Sequence, residues 1–301
     1  MSIAVFLPPQ LLMHVRHVFA KEEEFFIATS WKELEEIVRR EAVSVVIADP
    51  AADGVVDIDA VSGILQRYPS LPFVGYVMLT PSAFGAIAQL ARRGLDHVVL
   101  HRFGDSRERL QQTISRVRAN PPSQKVMTLL APVLRDVPVS LARAVKDLFE
   151  RPHRYGSVLE LAIVAGLPPV SVYRYIDAVK LGSPKKLLVA ARLSRGLTYL
   201  RDPGYSVREV ATKLGYRHAK IFTAHVVSVF DMTPSRLRSR LTEDDALAHL
   251  IRWMDIPEVN PRVQQRIPDI TGFVVVAHCH FRPSLYRRPM TPFRQNAHPD
   301  S

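Results

Sequence analysis

Cysteine is nearly absent from this chain of 301 residues, in which Cys279 is the only one. A single cysteine excludes an internal disulfide and fits a reducing compartment. Long apolar runs are also missing, since no stretch approaches the roughly 18 to 20 apolar residues of a membrane span. The first residues, MSIAVFLPPQ, show no basic leader and no clear cleavage site, so we expect no secretory signal. These absences predict a cytoplasmic protein without a membrane segment.

Acidic residues are scarce in the middle of the chain, and the formal net charge of +11 originates there. Residues 1–120 carry 13 basic and 14 acidic side chains, residues 121–241 carry 20 and 8, and residues 242–301 carry 7 and 7. The middle segment therefore has a net charge of +12, which suits a domain that binds a polyanion. Charge by itself favours nucleic acid only slightly, because a well-hydrated surface can have the same composition.

The first 118 residues alternate short apolar runs with amphipathic stretches. The apolar runs are residues 3–7, 24–28, 43–48, 72–79 and 97–100, and the amphipathic stretches are residues 31–40, 60–68, 82–94 and 106–119. Leu34, Ile37 and Val38 show the helical spacing. Five β-α units of this length predict a parallel sheet with helices on both faces, in an α/β domain over residues 1–119.

Beyond this domain the pattern changes. The stretch ANPPSQK (119–125) places two prolines among polar neighbours, which predicts a linker over 120–136. From there the strand signal vanishes, so we predict an all-α domain over 137–241. Residues 242–301 contain many prolines and arginines and little periodicity, so we expect a largely irregular tail.

The tail contains His278-Cys279-His280, which raises the question of a metal site. Alternate residues of a strand point to opposite faces, so Cys279 would face away from both histidines. Zinc sites usually take four ligands at recognisable spacing. We therefore predict no metal site and no cofactor.

One phrase occurs twice in the helical region. The sequence SVLE (157–160) is repeated 49 residues later as SVRE (206–209), and each is a capping box at the start of a helix. At the same offset an apolar stripe recurs with the spacing i, i+3, i+4, i+7, and Gly166 corresponds to Gly215. Glycine supplies the left-handed backbone that ends one helix and redirects the chain into the next.

A second apolar helical face follows each glycine, formed by Val172 and Ile176 in the first copy and by Phe222 and Val226 in the second. Two short helices that cross over a shared apolar face form a helix-turn-helix. The pattern predicts one unit at 157–178 and another at 206–228. A plain helical hairpin of a solenoid is the alternative, but a solenoid usually needs three or more units.

The segment between the copies, residues 184–202, has the pattern of one long amphipathic helix. Ser183-Pro184 precedes it, and Thr233-Pro234 follows the second copy; in each pair the hydroxyl caps a helix that begins with proline. A helix of roughly 17 residues spans about 25 Å. It can hold two recognition helices about one DNA turn, roughly 34 Å, apart. The spacing predicts that one chain reads two successive major grooves.

Residues 137–240 resemble the DNA-binding domain of AraC/XylS-type transcription regulators. The resemblance is carried by the two helix-turn-helix units, by Arg192-Leu193 within AARLSRGLTYLRD, by VREVATKLGY and by the closing MTPSRLR. It covers about a third of the chain. It implies transcription regulation through two helix-turn-helix units that insert into adjacent major grooves.

The candidate DNA contacts are the outward residues of each second helix and the basic residues beside them. They are Val170, Ser171, Tyr173 and Arg174 in the first unit, Arg217, His218, Lys220, Thr223 and Ala224 in the second, and Arg236 and Arg238 beyond it. Arg174 matches an arginine that the family often carries, and arginine pairs bidentately with guanine or clamps phosphate. Arg217 and His218 precede a helix start, which suits phosphate contacts.

Several of these residues have alternative interpretations. Tyr173 either contacts a base or packs on the neighbouring helix. Arg236 and Arg238 either hold phosphates or form a solvated helix end. Ala224, which shares its outward face with Ala219, stands where the family often has arginine, and Pro168 stands where a serine cap is common. We therefore expect unequal specificity from the two units.

The first domain resembles a response-regulator receiver, which has a flavodoxin-like sheet of five β-α units. Asp49 ends the third strand, where receivers carry the phosphate-accepting aspartate, and Thr80 ends the fourth, at the usual hydroxyl position. However, Leu7-Pro8-Pro9 stands where receivers carry the acidic residues that hold Mg²⁺, and His101 follows the fifth strand where lysine is expected. Phosphoryl transfer depends on a metal to neutralise charge. We therefore predict a pseudo-receiver that serves dimerisation or signal sensing, with Asp49 a doubtful phosphoacceptor.

Two other functions fit parts of the sequence. A protein–protein adaptor would use the helical domain without binding DNA, and it would lack the steep salt dependence of DNA binding. A DNA-alkyl acceptor enzyme is disfavoured, because Cys279 has no neighbouring cysteines and no nucleophile, base and orienting group occur together. We expect no catalytic residues. The expected partners are double-stranded DNA and a second copy bound through the N-terminal domain, with RNA polymerase a further candidate.

Overall fold

The structure is a computed structural model that describes residues 2–19, 23–118 and 120–256. Its strands are β1 (Ser2–Phe6), β2 (Glu24–Ile27), β3 (Val45–Ala48), β4 (Phe73–Val77) and β5 (His97–Leu100). They form one parallel sheet in the order β2-β1-β3-β4-β5. This is the flavodoxin-like order, and it confirms the predicted five-stranded parallel sheet.

Helices cover both faces of the sheet. They are α1 (Pro9–Phe19), α2 (Trp31–Arg40), α3 (Ile58–Arg67), α4 (Pro81–Ala91) and α5 (Arg107–Val117). The buried residues of α1 and α5 share a core on one face, and those of α2, α3 and α4 share a core on the other. Of these helices, α1 was not among the predicted stretches. It begins at Pro9, where a missing N–H costs nothing, and Leu11 and Val15 bury its apolar side.

The second half of the described chain is helical, as the loss of strand signal predicted. Its helices are α6 (Pro121–Leu130), α7 (Val139–Glu150), α8 (Val158–Ala165), α9 (Pro169–Ala178), α10 (Pro184–Arg201), α11 (Val207–Lys213), α12 (Ala219–Phe230), α13 (Pro234–Arg240) and α14 (Glu243–Met254). Two short 3-10 turns lie at Val133–Asp136 and Pro152–Arg154. The longest helix, α10, packs against α6, α7, α8, α9, α11, α13 and α14, so it forms the centre of this half.

The segment predicted as a linker is mostly helical, so that prediction was wrong. Pro121 and Pro122 lie in the first turn of α6, and Asn120 caps the helix by accepting from the Ser123 N–H over 3.1 Å. Val126 and Leu130 are fully buried. The two prolines therefore mark the start of a helix and not a flexible connection.

The tail predicted to be largely irregular also begins with a helix. Thr242 caps α14 by accepting from the Asp245 N–H over 3.1 Å, and Leu247, Leu250 and Met254 are buried. This helix packs against α10 and α12. The rest of the tail, with His278-Cys279-His280, lies outside the described residues.

The α/β half and the helical half pack into one compact unit. The core between the sheet and α2 and α3 continues without a break into the core of the helical half. The domain bounds 1–119 and 137–241 remain predictions. No single described helix has the length and apolar composition to cross a membrane, although α8 and α9 taken together meet that test as a bent pair.

Candidate nucleic-acid interface

The first helix-turn-helix unit consists of α8 and α9. The Ser157 N–H donates to Glu160 Oε2 over 2.9 Å in the capping box that begins α8. Gly166 ends α8 with a φ of 63°, the left-handed conformation that favours glycine. The chain bends by 91° between α8 and α9, which is within the range of helix-turn-helix motifs. Val172 and Ile176 are completely buried, as their spacing predicted.

The second unit, α11 and α12, repeats this construction. The Ser206 N–H donates to Glu209 Oε2 over 2.7 Å, and the Glu209 N–H donates to the Ser206 hydroxyl over 3.2 Å. Gly215 has a φ of 77° and lies against the 3-10 turn at Pro152–Arg154. Phe222 and Val226 are completely buried, as predicted.

The two units are joined by α10. Ser183 and Thr233 cap α10 and α13 through their hydroxyl groups, and Pro184 and Pro234 occupy the first helical positions, as the Ser-Pro and Thr-Pro pairs predicted. With 18 residues at 1.5 Å each, α10 is about 27 Å long. Because α10 contacts both helices of the first unit and α11 of the second, it fixes the two units in one frame.

The outer side of α9 holds the predicted contacts of the first unit. Val170 is 79% exposed and Tyr173 is 40% exposed. Arg174 is exposed and Ser171 is half-buried. The guanidinium carbon of Arg174 lies 5.3 Å from the centre of the Tyr175 ring, a cation–π contact along the helix. All four predicted side chains thus have surface available for a contact.

The predicted contacts of the second unit lie at the start and on the outer side of α12. Thr223 is half-buried, and the exposed residues are Arg217, His218, Lys220 and Ala224. His218 occupies the N-cap position, although its side chain makes no capping hydrogen bond. Ala219, which the spacing placed on the outward face with Ala224, is half-buried against the core instead.

The two arginines of α13 differ in their surroundings. Arg236 is exposed. Arg238 is half-buried, and its Nη2 donates to the Tyr205 carbonyl oxygen over 2.7 Å. A phosphate at Arg238 would have to share the guanidinium with this internal bond, so Arg236 is the more available of the two.

A buried set of contacts joins the two units, and the sequence patterns did not reveal it. Arg192 of α10 is 8% exposed, and its Nη2 donates to the Tyr155 carbonyl oxygen over 2.6 Å, just before α8. The guanidinium carbon also lies 4.7 Å from the centre of the Tyr216 ring, in the turn of the second unit. The Tyr216 hydroxyl in turn lies 3.0 Å from His225 Nδ1 on α12. Burial lowers the pKa of His225, as does the charge of Arg192. From the sequence alone, a charged residue such as Arg192 is expected at the surface. The only sequence signal that singled it out was its place in the Arg192-Leu193 pair of the motif that resembles the AraC/XylS family.

Asp49, the doubtful phosphoacceptor of the α/β domain, directly follows β3. Asp49 is 6% exposed, and its Oδ1 accepts from the Ala51 N–H over 2.9 Å. Burial raises the pKa of its carboxyl group above the ordinary value. Thr80 does not end β4, which stops at Val77; it caps α4 instead, and its hydroxyl accepts from the Ala83 N–H over 3.1 Å.

His101, which follows β5, belongs to a network that the sequence did not reveal. The Tyr76 hydroxyl donates to Asp105 Oδ2 over 2.6 Å, and His101 Nδ1 lies 2.6 Å from the same oxygen. Nε2 of His14 lies 2.8 Å from the Asp105 carbonyl oxygen. Burial raises the pKa of Asp105, but hydrogen bonds from Tyr76, the Arg102 N–H and His101 outweigh it and lower that pKa below its ordinary value. Within the described residues, no group of three or more His, Cys, Asp or Glu side chains is arranged to hold a metal ion.

Comparison with known proteins bears on the helical half. Residues 161–240 match the family model of a helix-turn-helix domain. No curated protein is detectably similar to the chain. Among solved structures, full-length FixJ from B. japonicum is similar over 65% of this chain and 97% of its own, with 12% identity and a TM-score of 0.34. The flavodoxin-like fold of the α/β half is shown by the strand order of its sheet. Residues 161–240 are therefore an AraC-type helix-turn-helix domain, which supports a role in DNA binding and transcription regulation, and the α/β half has a flavodoxin-like fold.

Proposed function

We propose that the protein is a sequence-specific regulator that inserts α9 and α12 into successive major grooves of one DNA duplex. One observation carries this proposal: two units with the same caps, the same left-handed glycine and the same buried spacing stand on a single helix, α10. A rod about 27 Å long is comparable to the roughly 34 Å between successive major-groove faces. The local charge of +12 over residues 121–241 supplies the attraction to phosphate.

In this proposal the two units contribute unequally to base recognition. Arg174 offers five fixed donors from the exposed side of α9, which suits bidentate recognition of guanine. The corresponding side of α12 offers Lys220, the half-buried Thr223 and the methyl group of Ala224. We assign Arg217, His218 and Arg236 to phosphate contacts that set the register. The first unit then supplies most of the base discrimination.

The test uses the full-length chain and a duplex selected by that chain from a random pool. Arg174→Ala should weaken specific binding by about 1 to 3 kcal/mol and flatten the preference at one base position. Arg217→Ala should weaken binding to all sequences similarly, because the contact that we assign to Arg217 is to phosphate. Fluorescence anisotropy over a salt series measures both effects, because each lost phosphate contact also makes the salt dependence shallower.

The control is Arg92→Ala, which removes an equal charge from an exposed position of the α/β domain. It should leave affinity and base preference close to those of the unmodified protein. Unchanged affinity and preference in Arg174→Ala would remove Arg174 from the recognition surface. A binding constant that hardly varies with salt would contradict DNA binding through the basic domain as a whole.

We propose that the α/β domain serves dimerisation or signal sensing. Exposed apolar residues at the carboxyl edge of the sheet support a protein contact there, since such patches usually mark interaction sites. They are Met78, Leu79, Phe84 and Phe103, with exposures of 38%, 52%, 67% and 68%. A second copy of the chain is the partner that we favour.

Phosphorylation at Asp49 should not occur. The buried carboxyl group has a raised pKa, and Leu7-Pro8-Pro9 supplies no carboxylate after β1 to help bind Mg²⁺. After incubation with acetyl phosphate and Mg²⁺, intact-mass measurement should find the unmodified chain. A stoichiometric phosphate adduct that Asp49→Asn abolishes would show instead that the domain is a working receiver.

One observation favours a second function, that of an adaptor. Leu159, Ile163 and Val164 of α8 are 56%, 68% and 56% exposed, an apolar surface beside the first recognition helix. This surface suits a protein partner, and RNA polymerase is our candidate if DNA is bound at the same time. A chain that captures a protein through α8 with no salt-dependent DNA affinity would be an adaptor alone.

A further inference from the structure

The α/β domain holds the second helix-turn-helix unit through one well-defined contact. On one side lie the carboxyl end of α2 and residues 67–70; on the other lies the segment 202–213, which includes α11. We call this contact the interdomain clamp. The residues of its two sides are far apart in sequence, yet hydrogen bonds and an ion pair join them.

Lys213, at the end of α11, is the centre of the clamp. It is 2% exposed, and its Nζ donates to the carbonyl oxygens of Val38, over 2.6 Å, and of Glu41, which end α2. The last carbonyl groups of a helix have no partner within the helix and carry partial negative charge, so an ammonium group satisfies them well. The centres of the Tyr199 and Tyr205 rings lie 5.4 and 4.8 Å from Nζ, so both rings make cation–π contacts with it.

Residues 202–204 fit against the end of α3. Asp202 is completely buried, and its carboxylate accepts from the Ser70 N–H over 2.9 Å and from the Ser70 hydroxyl. The Gly204 N–H donates to the Arg67 carbonyl oxygen over 2.8 Å. A Cβ at Gly204 would stand 2.3 Å from the Tyr68 ring, so the two halves meet too closely for any side chain there.

An ion pair at the edge closes the clamp. Arg39 of α2 lies against Glu209 of α11, with 2.6 Å between Nη2 and Oε1. Glu209 also closes the capping box of α11 through its other oxygen. The same carboxylate thus caps the first helix of the second unit and connects it to the α/β domain.

Among the residues that the structure describes, the first unit has no equivalent of this contact. At the offset of 49 residues, Lys213 corresponds to Val164, which is 56% exposed. The α/β domain therefore distinguishes between two units that are otherwise built alike. On the second unit the clamp engages α11, while Lys220 and Ala224 of α12 stay exposed.

We propose that the interdomain clamp presets the orientation of the second recognition helix, so that the α/β domain controls contacts made by α12 and not those made by α9. The proposal rests on the proposed DNA-binding function. Lys213 lies two residues before Gly215, where the chain turns into α12, so anchoring Lys213 fixes the start of that turn. The clamped state leaves α12 accessible and is competent to bind DNA. Releasing the clamp gives α11 and α12 more conformational freedom. DNA binding must then restrict this freedom, which weakens the affinity.

The test compares full-length Lys213→Met and Arg39→Glu with the unmodified protein. Lys213→Met keeps an apolar stem and removes the donor, and Arg39→Glu places like charges against Glu209. Hydrogen–deuterium exchange of residues 202–214 should become faster in both variants. Hydroxyl-radical footprints should show roughly five-fold or greater weakening at the half-site contacted by α12, with the other half-site unchanged.

Arg40→Glu is the matched control, because it reverses an exposed charge on the same helix one residue away. It should alter neither exchange nor footprint. Unchanged exchange in both clamp variants would overturn the proposal, as would equal weakening or strengthening of the two half-sites. If the unmodified protein gives no footprint, the proposed function fails; the exchange experiment needs no DNA and still reports whether the clamp holds α11.

Discussion

Gly166 and Gly215 occupy equivalent turns, yet their surroundings differ. Both have positive φ values, 63° and 77°, where any side chain strains the backbone. A Cβ added at Gly166 would meet nothing within 4 Å. A Cβ added at Gly215 would stand 2.8 Å from the carbonyl oxygen and 3.1 Å from the Cα of His153. The first glycine is required for conformation alone, and the second is required for conformation and close packing.

This difference predicts unequal effects on stability. Gly166→Ala should lower the free energy of unfolding by about 1 kcal/mol, the cost of a left-handed alanine. Gly215→Ala should cost about 1 to 3 kcal/mol more, because backbone atoms of the 3-10 turn cannot move aside as a flexible side chain would. Urea unfolding of the two variants in parallel measures the difference. Equal losses would show that the 3-10 turn can move away from Gly215.

Arg192 shows that a buried charge can organise both units. Its guanidinium contacts Tyr155 before α8 and Tyr216 before α12, so one side chain of α10 relates the entrances of both recognition motifs. Removing one partner of a buried charged group leaves the other without compensation, which is costly. The position therefore needs arginine and not merely a basic residue, because lysine lacks the planar, forked donors.

At the scale of elements, local signals predicted the units well. Serine and threonine caps, left-handed glycines and apolar spacing depend on neighbours within one or two turns of helix. The corresponding elements, α8 to α13, formed where the patterns indicated. The parallel sheet was also predictable, since short apolar runs that alternate with helical patterns leave few other arrangements.

Elements whose signals were ambiguous were missed or misread. Prolines concealed the starts of α1 and α6, although proline in the first turn is compatible with a helix. The start of α14 was hidden by its run of acidic residues, Glu243, Asp244 and Asp245, which suit the positive end of a helix. The clamp was not predictable either, because Lys213 and Val38 are 175 residues apart and no local pattern connects them.

At the scale of the whole molecule, the two halves share an apolar core and a set of buried charges. Burial raises the pKa of Asp202 to about 6 and lowers the pKa of Lys213 to about 7. Each shift opposes the charged form, so both groups are held in the clamp at an electrostatic cost that their hydrogen bonds and mutual attraction offset only in part. The docking of the two halves should therefore depend on pH.

For Lys213 the direction in which stability changes with pH follows from the number of protons bound by the folded and unfolded chains. Between its folded pKa of about 7 and its unfolded value near 10.5, the unfolded chain binds a proton that the folded chain does not, so stability rises with pH. Relative to Lys213→Met, the unmodified protein should gain roughly 1 kcal/mol of unfolding free energy per pH unit from pH 7 to about 9.5. Urea unfolding at several pH values measures this difference, below the range in which tyrosines ionise in the unfolded chain.

For Asp202 the pH dependence of the free energy of unfolding has the opposite sign and falls in a lower pH range. Asp202→Asn therefore serves as the internal control. The folded pKa of Asp202, about 6, exceeds its ordinary 3.8, so between these values the folded chain holds the extra proton. The unmodified protein should therefore lose stability relative to Asp202→Asn as the pH rises from about 4 to 6, and the difference should then stay constant. If the Lys213 difference were flat from pH 7 to 9.5, Lys213 would keep its proton in the clamp, stabilised by the end of α2 more than burial disfavours it. The interdomain clamp would then be an ion-stabilised contact that is insensitive to pH in this range.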